Sequence, residues 1–171
     1  MPSLIDGVRG KVLDLGPGPG NQMDRFTPSQ IDYIYGIEPN ANFGAQLAKK
    51  LSGHALEDKY KVLVCGIEDS DILRGEGITE NSMDTILSIQ VMCAVNDPRA
   101  VMKEIWKLLK PGGRFIFWEH GKNKDFITAA TQGTSIAAPY LSELLPHSSR
   151  IRLSSRICNT IHFCCRRKSL T

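Results

Sequence analysis

The chain has 171 residues, 42% of them hydrophobic and 23% charged, with a formal net charge of +3. These are the proportions of a soluble globular protein of one domain, with enough chain for a core but few residues for a complete enzyme. The sequence has no apolar run near the ~20 residues of a membrane span and no basic-then-apolar leader at its start, so a cytoplasmic location is expected.

Charge is unevenly distributed. Residues 147–171 carry six basic side chains and no acidic one, leaving 15 basic against 18 acidic in residues 1–146, a balance of −3. A solvated basic terminus is the expected reading, and no nucleic-acid motif accompanies it. The five cysteines, Cys65, Cys93, Cys158, Cys164 and Cys165, form no C-x-x-C pair and no metal-ligand spacing, so no metal is expected. Cys65 and Cys93 read as core thiols.

In chain order, the first element is a strand over 11–15, whose apolar run Val12–Leu15 ends in Gly16, Gly18 and Gly20. This pattern predicts a buried strand and a tight turn into a helix from about Asn21, closed by Pro28. The dinucleotide pattern G-x-G-x-x-G is not met, because its third position is Asn21. Pro17 and Pro19 lack N–H groups, so the turn is a poor cradle for phosphate and better suited to a nucleoside without one. A second strand, 33–37, ends at Glu38, eighteen residues after Gly20. A carboxylate there is placed to accept hydrogen bonds from two ribose hydroxyls; the alternative is an ordinary strand turn followed by a surface glutamate.

Pro39 and Asn40 open a helix through Phe43, Leu47 and Leu51, stopped by Ser52 and Gly53. A third strand runs from Lys61 to Cys65 and leads into Gly66-Ile67-Glu68-Asp69. Arg74 to Ser82 reads as loop, and Asp84 to Ile89 as a fourth strand. Asp97 and Pro98 cap and start a helix with Val101, Ile105, Leu108 and Leu109 on one face. Lys110-Pro-Gly-Gly113 turns into a fifth strand, Arg114 to Glu119. This alternation predicts an α/β fold with a mostly parallel sheet flanked by helices.

Five stretches in order, VLDLGPGPG, YGIEPN, CGIED, DTILSIQ and LLKPGGRFIFWEH, resemble the class I S-adenosylmethionine-dependent methyltransferases. The likeness is nearest to small-molecule enzymes of the ubiquinone-biosynthesis and methyltransferase-like type, including fungal secondary-metabolite enzymes, and covers about Gly10 to Gln132. It implies a Rossmann-like fold, S-adenosyl-L-methionine as cofactor and a small-molecule methyl acceptor, with no nucleic-acid partner. By that resemblance, Gly16, Gly18 and Gly20 let backbone approach the methionine portion of the cofactor. Asp14 sits beneath them, oriented toward the cofactor's amino group or capping loop N–H groups. Glu38 binds the ribose, and a Glu38→Ala change is expected to weaken binding while leaving thermal stability nearly unchanged. Asn40 caps the following helix.

Ile67 and Glu68 lie where the family binds adenine. Many members have an aspartate at the position of Gly66, and Glu68 or Asp69 is expected to replace it. Ser88 and Gln90 end the fourth strand near the transferred methyl, Gln90 alternatively satisfying loop backbone. His120 is the histidine placed for base catalysis, or for a structural hydrogen bond at the strand end.

Residues 1–132 therefore read as the cofactor-binding core and 133–171 as an atypical basic segment, in which Ile151–Leu153 and Ile157–Cys164 are weak strand candidates. An incomplete or irregular C-terminal part is expected. The function expected is methyl transfer to a small molecule, with a truncated, non-catalytic cofactor binder as the alternative.

Overall fold

The computed structural model describes residues 2–120, 150–153 and 160–166. Its centre is a seven-stranded sheet in the order β3-β2-β1-β4-β5-β7-β6. The strands are β1 (Gly10–Leu15), β2 (Ile31–Ile37), β3 (Tyr60–Leu63), β4 (Met83–Ile89), β5 (Leu109–His120), β6 (Arg150–Leu153) and β7 (Thr160–Arg166). The first five pair in parallel. β7 runs antiparallel between β5 and β6. The described helices are α1 (Pro2–Ile5), α2 (Ala41–Leu51), α3 (Ser70–Gly75) and α4 (Pro98–Leu108).

The apolar run of β1 follows from its place between β2 and β4, with both faces covered. Leu13 and Leu15 belong to the core shared with α3 and α4, whereas Val12 joins Leu47 and Leu51 of α2 on the other face. α4 buries Val101, Met102, Ile105 and Leu108, and its start is fixed by Asp97, whose side chain accepts from the N–H groups of Arg99 and Ala100. Asn40 caps α2 in the same way, accepting from Asn42 N–H.

Several boundaries differ from expectation. No α-helix follows Gly20; the chain makes two short 3-10 turns, Met23–Arg25 and Pro28–Gln30. Thr27 precedes a proline and is extended, which disfavours helix there and leaves too few residues for a buried stripe. The stretch expected as loop from Arg74 begins inside α3, whose six residues are too few to show a period. β3 ends at Leu63, so Val64 is exposed and Cys65 lies beyond the strand. Phe43 is 39% exposed, and Gly44 takes the packing position against Val62 and Val64 instead. Leu109 and the Lys110–Gly113 turn lie within β5, where the register with β4 shifts between Met83 and Thr85.

The strand candidates 151–153 and 157–164 correspond to β6 and β7, which extend the sheet beyond β5. The expected boundary between residues 132 and 133 falls outside the described residues.

Candidate active site

The carboxyl ends of β1 to β4 converge on a cavity of about 320 Å³. That is at the small end of the range for small-molecule sites, and such crevices lie at this edge of open α/β sheets. Leu15, Ile37 and Cys65 form its floor, and Gly66, Ile67 and Glu68 one wall. The opposite wall comes from the segment after β4, including Val91, Val95 and Asp97, and from Ala100, Val101 and Glu104 of α4.

The glycine turn closes over β1. Gly16, Gly18 and Gly20 have φ of +56°, +55° and +82°, in the left-handed region that L side chains avoid. A Cβ at Gly16 would meet Val91 Cγ2 at 2.8 Å, so the turn and the segment after β4 touch directly. A Cβ at Gly18 would meet nothing within 4 Å, and its Cα therefore faces open space.

Glu38 is 7% exposed and holds this turn from the end of β2. Its Oε2 accepts from Gly18 N–H at 3.0 Å and its Oε1 from Asn40 N–H at 3.0 Å. A carboxylate oxygen accepts two hydrogen bonds, so each keeps capacity for another donor.

Asp14 lies one pleat below the turn, 3% exposed, with the Tyr60 hydroxyl donating to its Oδ2 at 2.9 Å. Tyr60 reaches it by crossing Gly36, where any Cβ would collide with the tyrosine ring. Burial pushes the Asp14 carboxyl up from 3.8 to about 7; the Tyr60 hydrogen bond opposes this and the Glu38 charge adds to it. Burial and the adjacent carboxylates also hold the Tyr60 hydroxyl well above its ordinary value.

At the end of β3, Asp69 Oδ2 accepts from Gly66 N–H at 2.7 Å and closes the local turn. The carboxyl of Glu68 occupies the space into which a side chain at Gly66 would project. Of the two acids, Glu68 is the one on the cavity wall. Burial, followed by the charges of Asp69 and Glu68, raises the Cys65 thiol to about 11, so it is neutral at physiological pH.

Ser88, next to last in β4, is fully buried with no hydrogen-bond partner for its Oγ among the described residues, and Gln90 follows the strand's last residue, Ile89. Gln90 has φ +59° and donates its N–H to Trp118 O at 2.7 Å, so the chain turns sharply out of the sheet while still joined to β5. Glu119, 1% exposed on β5, accepts from Val91 and Met92 N–H at 2.8 and 2.9 Å through Oε1. His120 is the last residue of β5, opposite Thr160 of β7; its side chain lies outside the described residues.

Of the residues anticipated from sequence, Gly16, Ile67 and Glu68 line the cavity. Gly18 and Glu38 are bonded to each other next in the chain to the lining residues Gly16, Ile37 and Pro39 without lining the cavity themselves, and Asp14 is buried one pleat down with Tyr60. Ser88 and Gln90 lie at the end of β4, before the wall that begins at Val91. Sequence reasoning missed that wall, Tyr60 and Glu119. Gly36 was the available signal for Tyr60; no local pattern pointed to Glu119.

A parallel sheet in this order, a left-handed glycine turn after β1 and an acid ending β2 define a nucleoside-binding Rossmann-like fold. Residues 13–117 match the methyltransferase domain family, and the chain belongs to it, among the class I S-adenosylmethionine-dependent methyltransferases. A thiol S-methyltransferase of Homo sapiens is 30% identical over 118 residues, covering 68% of this chain and 46% of that enzyme. The cycloartenol-C-24-methyltransferase of Arabidopsis thaliana is 29% identical over 109 residues, covering 64% of this chain and 31% of that one. The chain thus matches less than half the length of either relative. The crystal structure of an S-adenosylmethionine-dependent methyltransferase from Aquifex aeolicus superposes with a TM-score of 0.72 at 15% identity, covering 94% of this chain and 84% of that one.

The residues present fit the family's cofactor. Gly18 leaves backbone open to a ligand beside a carboxylate with acceptor capacity to spare. The described cavity wall carries Glu68, Asp97 and Glu104 and no lysine or arginine, which suits a cationic nucleoside and disfavours phosphate. Among the described residues, no group of three or more His, Cys, Asp or Glu side chains could hold a metal ion. None of the described helices is long and apolar enough to cross a membrane.

Proposed function

We propose that the chain transfers a methyl group from S-adenosyl-L-methionine to a small molecule, with thiols the first acceptor class to test. The observation that carries this reading is the open, left-handed Gly18 bonded to Glu38 in the same turn as Gly16, which lines the cavity. The thiol preference rests on the human relative at 30% identity. When bound, the cofactor supplies an electrophilic methyl group on a sulfonium, so the protein's work is mainly orientation.

In this reading Glu38 accepts from the ribose hydroxyls with the lone pairs left over from Gly18 and Asn40. Ile67 packs on adenine, and Glu68 accepts from its exocyclic amine. Gly16, Gly18 and Gly20 admit the amino-acid portion. Asp14 and Tyr60 hold the floor beneath it, and a cationic amine there would favour the ionised Asp14 carboxylate, whose proton is released to solvent. Ser88 and Gln90 border the reacting end, and His120 takes the proton from the acceptor. A thiol suits such a base, because its ordinary pKa of about 8.5 lies near neutrality.

Transfer of tritium from the methyl-labelled cofactor to a panel of small thiols, phenols, amines and sterols tests the proposal. Labelling of one class at a rate that His120→Ala reduces by about 10²-fold or more is the expected result. Cofactor binding with no labelled product would leave the non-catalytic binder as the correct reading.

A further inference from the structure

The wall of the cavity after β4 has no regular secondary structure to hold it, yet it contacts the glycine turn through Val91. Two features determine its path. Gln90 leaves β4 with a left-handed φ of +59°, and its N–H is spent on Trp118 O. The next two N–H groups, of Val91 and Met92, both point at one oxygen of Glu119. That carboxylate comes from the neighbouring strand, 28 residues away from Val91, and is 1% exposed. A left-handed residue followed by consecutive N–H groups makes a concave anion-binding backbone, and here the anion is a side chain of the protein itself.

We propose that Glu119 is a positioning residue for cofactor binding. By clamping Val91 and Met92, it seats Val91 against Gly16 and so joins the β4 wall to the glycine turn in the geometry that receives the nucleoside. The proposal rests on the functional reading above and adds to it a residue that touches no cofactor atom. Backbone N–H groups left without an acceptor at buried positions are costly, so loss of the clamp should reorganise the wall. Glutamine at 119 keeps an acceptor oxygen at the same reach; methionine keeps the volume and removes the acceptor.

The test is calorimetric titration of S-adenosylhomocysteine into wild type, Glu119→Met and Glu119→Gln, alongside hydrogen exchange at the Val91 and Met92 amides. Glu119→Met should weaken binding at least about tenfold, the scale of charge-assisted hydrogen bonds, and expose both amides to faster exchange. Glu119→Gln should restore affinity to within about threefold of wild type, together with protection. If Glu119→Met does not fold, Glu119→Asp takes its place, shortening the reach by one methylene while keeping the charge. Faster amide exchange with unchanged affinity would overturn the proposal and leave Glu119 a local structural residue, as would failure of Gln to rescue. A folded wild type that does not bind the probe would overturn the functional reading and this proposal together, whereas normal wild-type binding with unaffected variants would overturn this proposal alone.

Discussion

The cavity is bounded by two loops held in the same way, each by a buried carboxylate that accepts backbone N–H groups. Glu38 directly follows β2 and bonds Gly18 in the turn after β1, using a different oxygen for Asn40. Glu119 sits on β5 and gathers Val91 and Met92 on a single oxygen. Each Glu38 oxygen therefore has acceptor capacity beyond its one backbone partner, which the proposed reading gives to the ribose. Glu119 is sealed into the sheet and acts on the ligand only through the loop it holds. The same residue type, near the ends of two strands of one sheet, thus holds one loop through both its oxygens and the other through one.

The strongest way to break the glycine-turn half is Gly18→Val. A Cβ there meets no protein atom, so the damage to the folded chain is limited to the left-handed backbone, about 1–2 kcal/mol of stability. Binding of S-adenosylhomocysteine should fall by at least about a hundredfold, about 2.8 kcal/mol, because the branched side chain occupies the approach. Normal binding would mean that the ligand does not approach this turn.

Glu38→Ala should come next. Loss of the ribose acceptor should weaken binding by about 1–3 kcal/mol. The expectation that thermal stability would be nearly unchanged needs correction, since Gly18 and Asn40 N–H lose their shared acceptor. A stability loss of about 1–2 kcal/mol in denaturant unfolding is expected. An unchanged midpoint would show that water replaces Glu38 at both donors.

Asp14 sharpens the comparison through pH. Its folded value is raised from 3.8 to about 7, so the folded state holds the proton more tightly than the unfolded one. Its contribution is most favourable below about 4 and becomes a growing cost as pH rises toward about 7, levelling off above that. Asp14→Asn keeps an acceptor for Tyr60 without the charge. The variant should therefore gain stability relative to wild type between about pH 4 and 8, measured by urea unfolding at both ends. An identical difference at the two pH values would contradict an uncompensated burial of Asp14.

The smallest effect belongs to the far wall. Asp97→Ala removes the acceptor for Arg99 and Ala100 N–H and should cost about 1 kcal/mol, read as a small fall in the thermal midpoint.

Legibility in the sequence followed the range of the interactions. Val12–Leu15 with its three glycines, Glu38 after the second apolar run, and the Asp97-Pro98 start of α4 are local signals, set by sterics and capping within a few residues. The glycines predict a turn into a helix after Gly20, but Thr27-Pro28 ends that segment too soon and two 3-10 turns form instead. Tyr60 joins Asp14 across 46 residues, and Glu119 joins Val91 across 28, pairings that require the strand order to be known first. Spacing alone does not assign the Gly66 N–H hydrogen bond to Asp69 rather than Glu68.

In the proposed reading, the glycine turn and Glu38 together receive an S-adenosyl nucleoside. Calorimetric titration of the folded chain with S-adenosylhomocysteine, with Gly18→Val as control, tests it most directly. Micromolar binding by wild type, competed by S-adenosylmethionine and absent from the variant, is the predicted result. A folded wild type that takes up no ligand, or a Gly18→Val chain that binds as well as wild type, would contradict it.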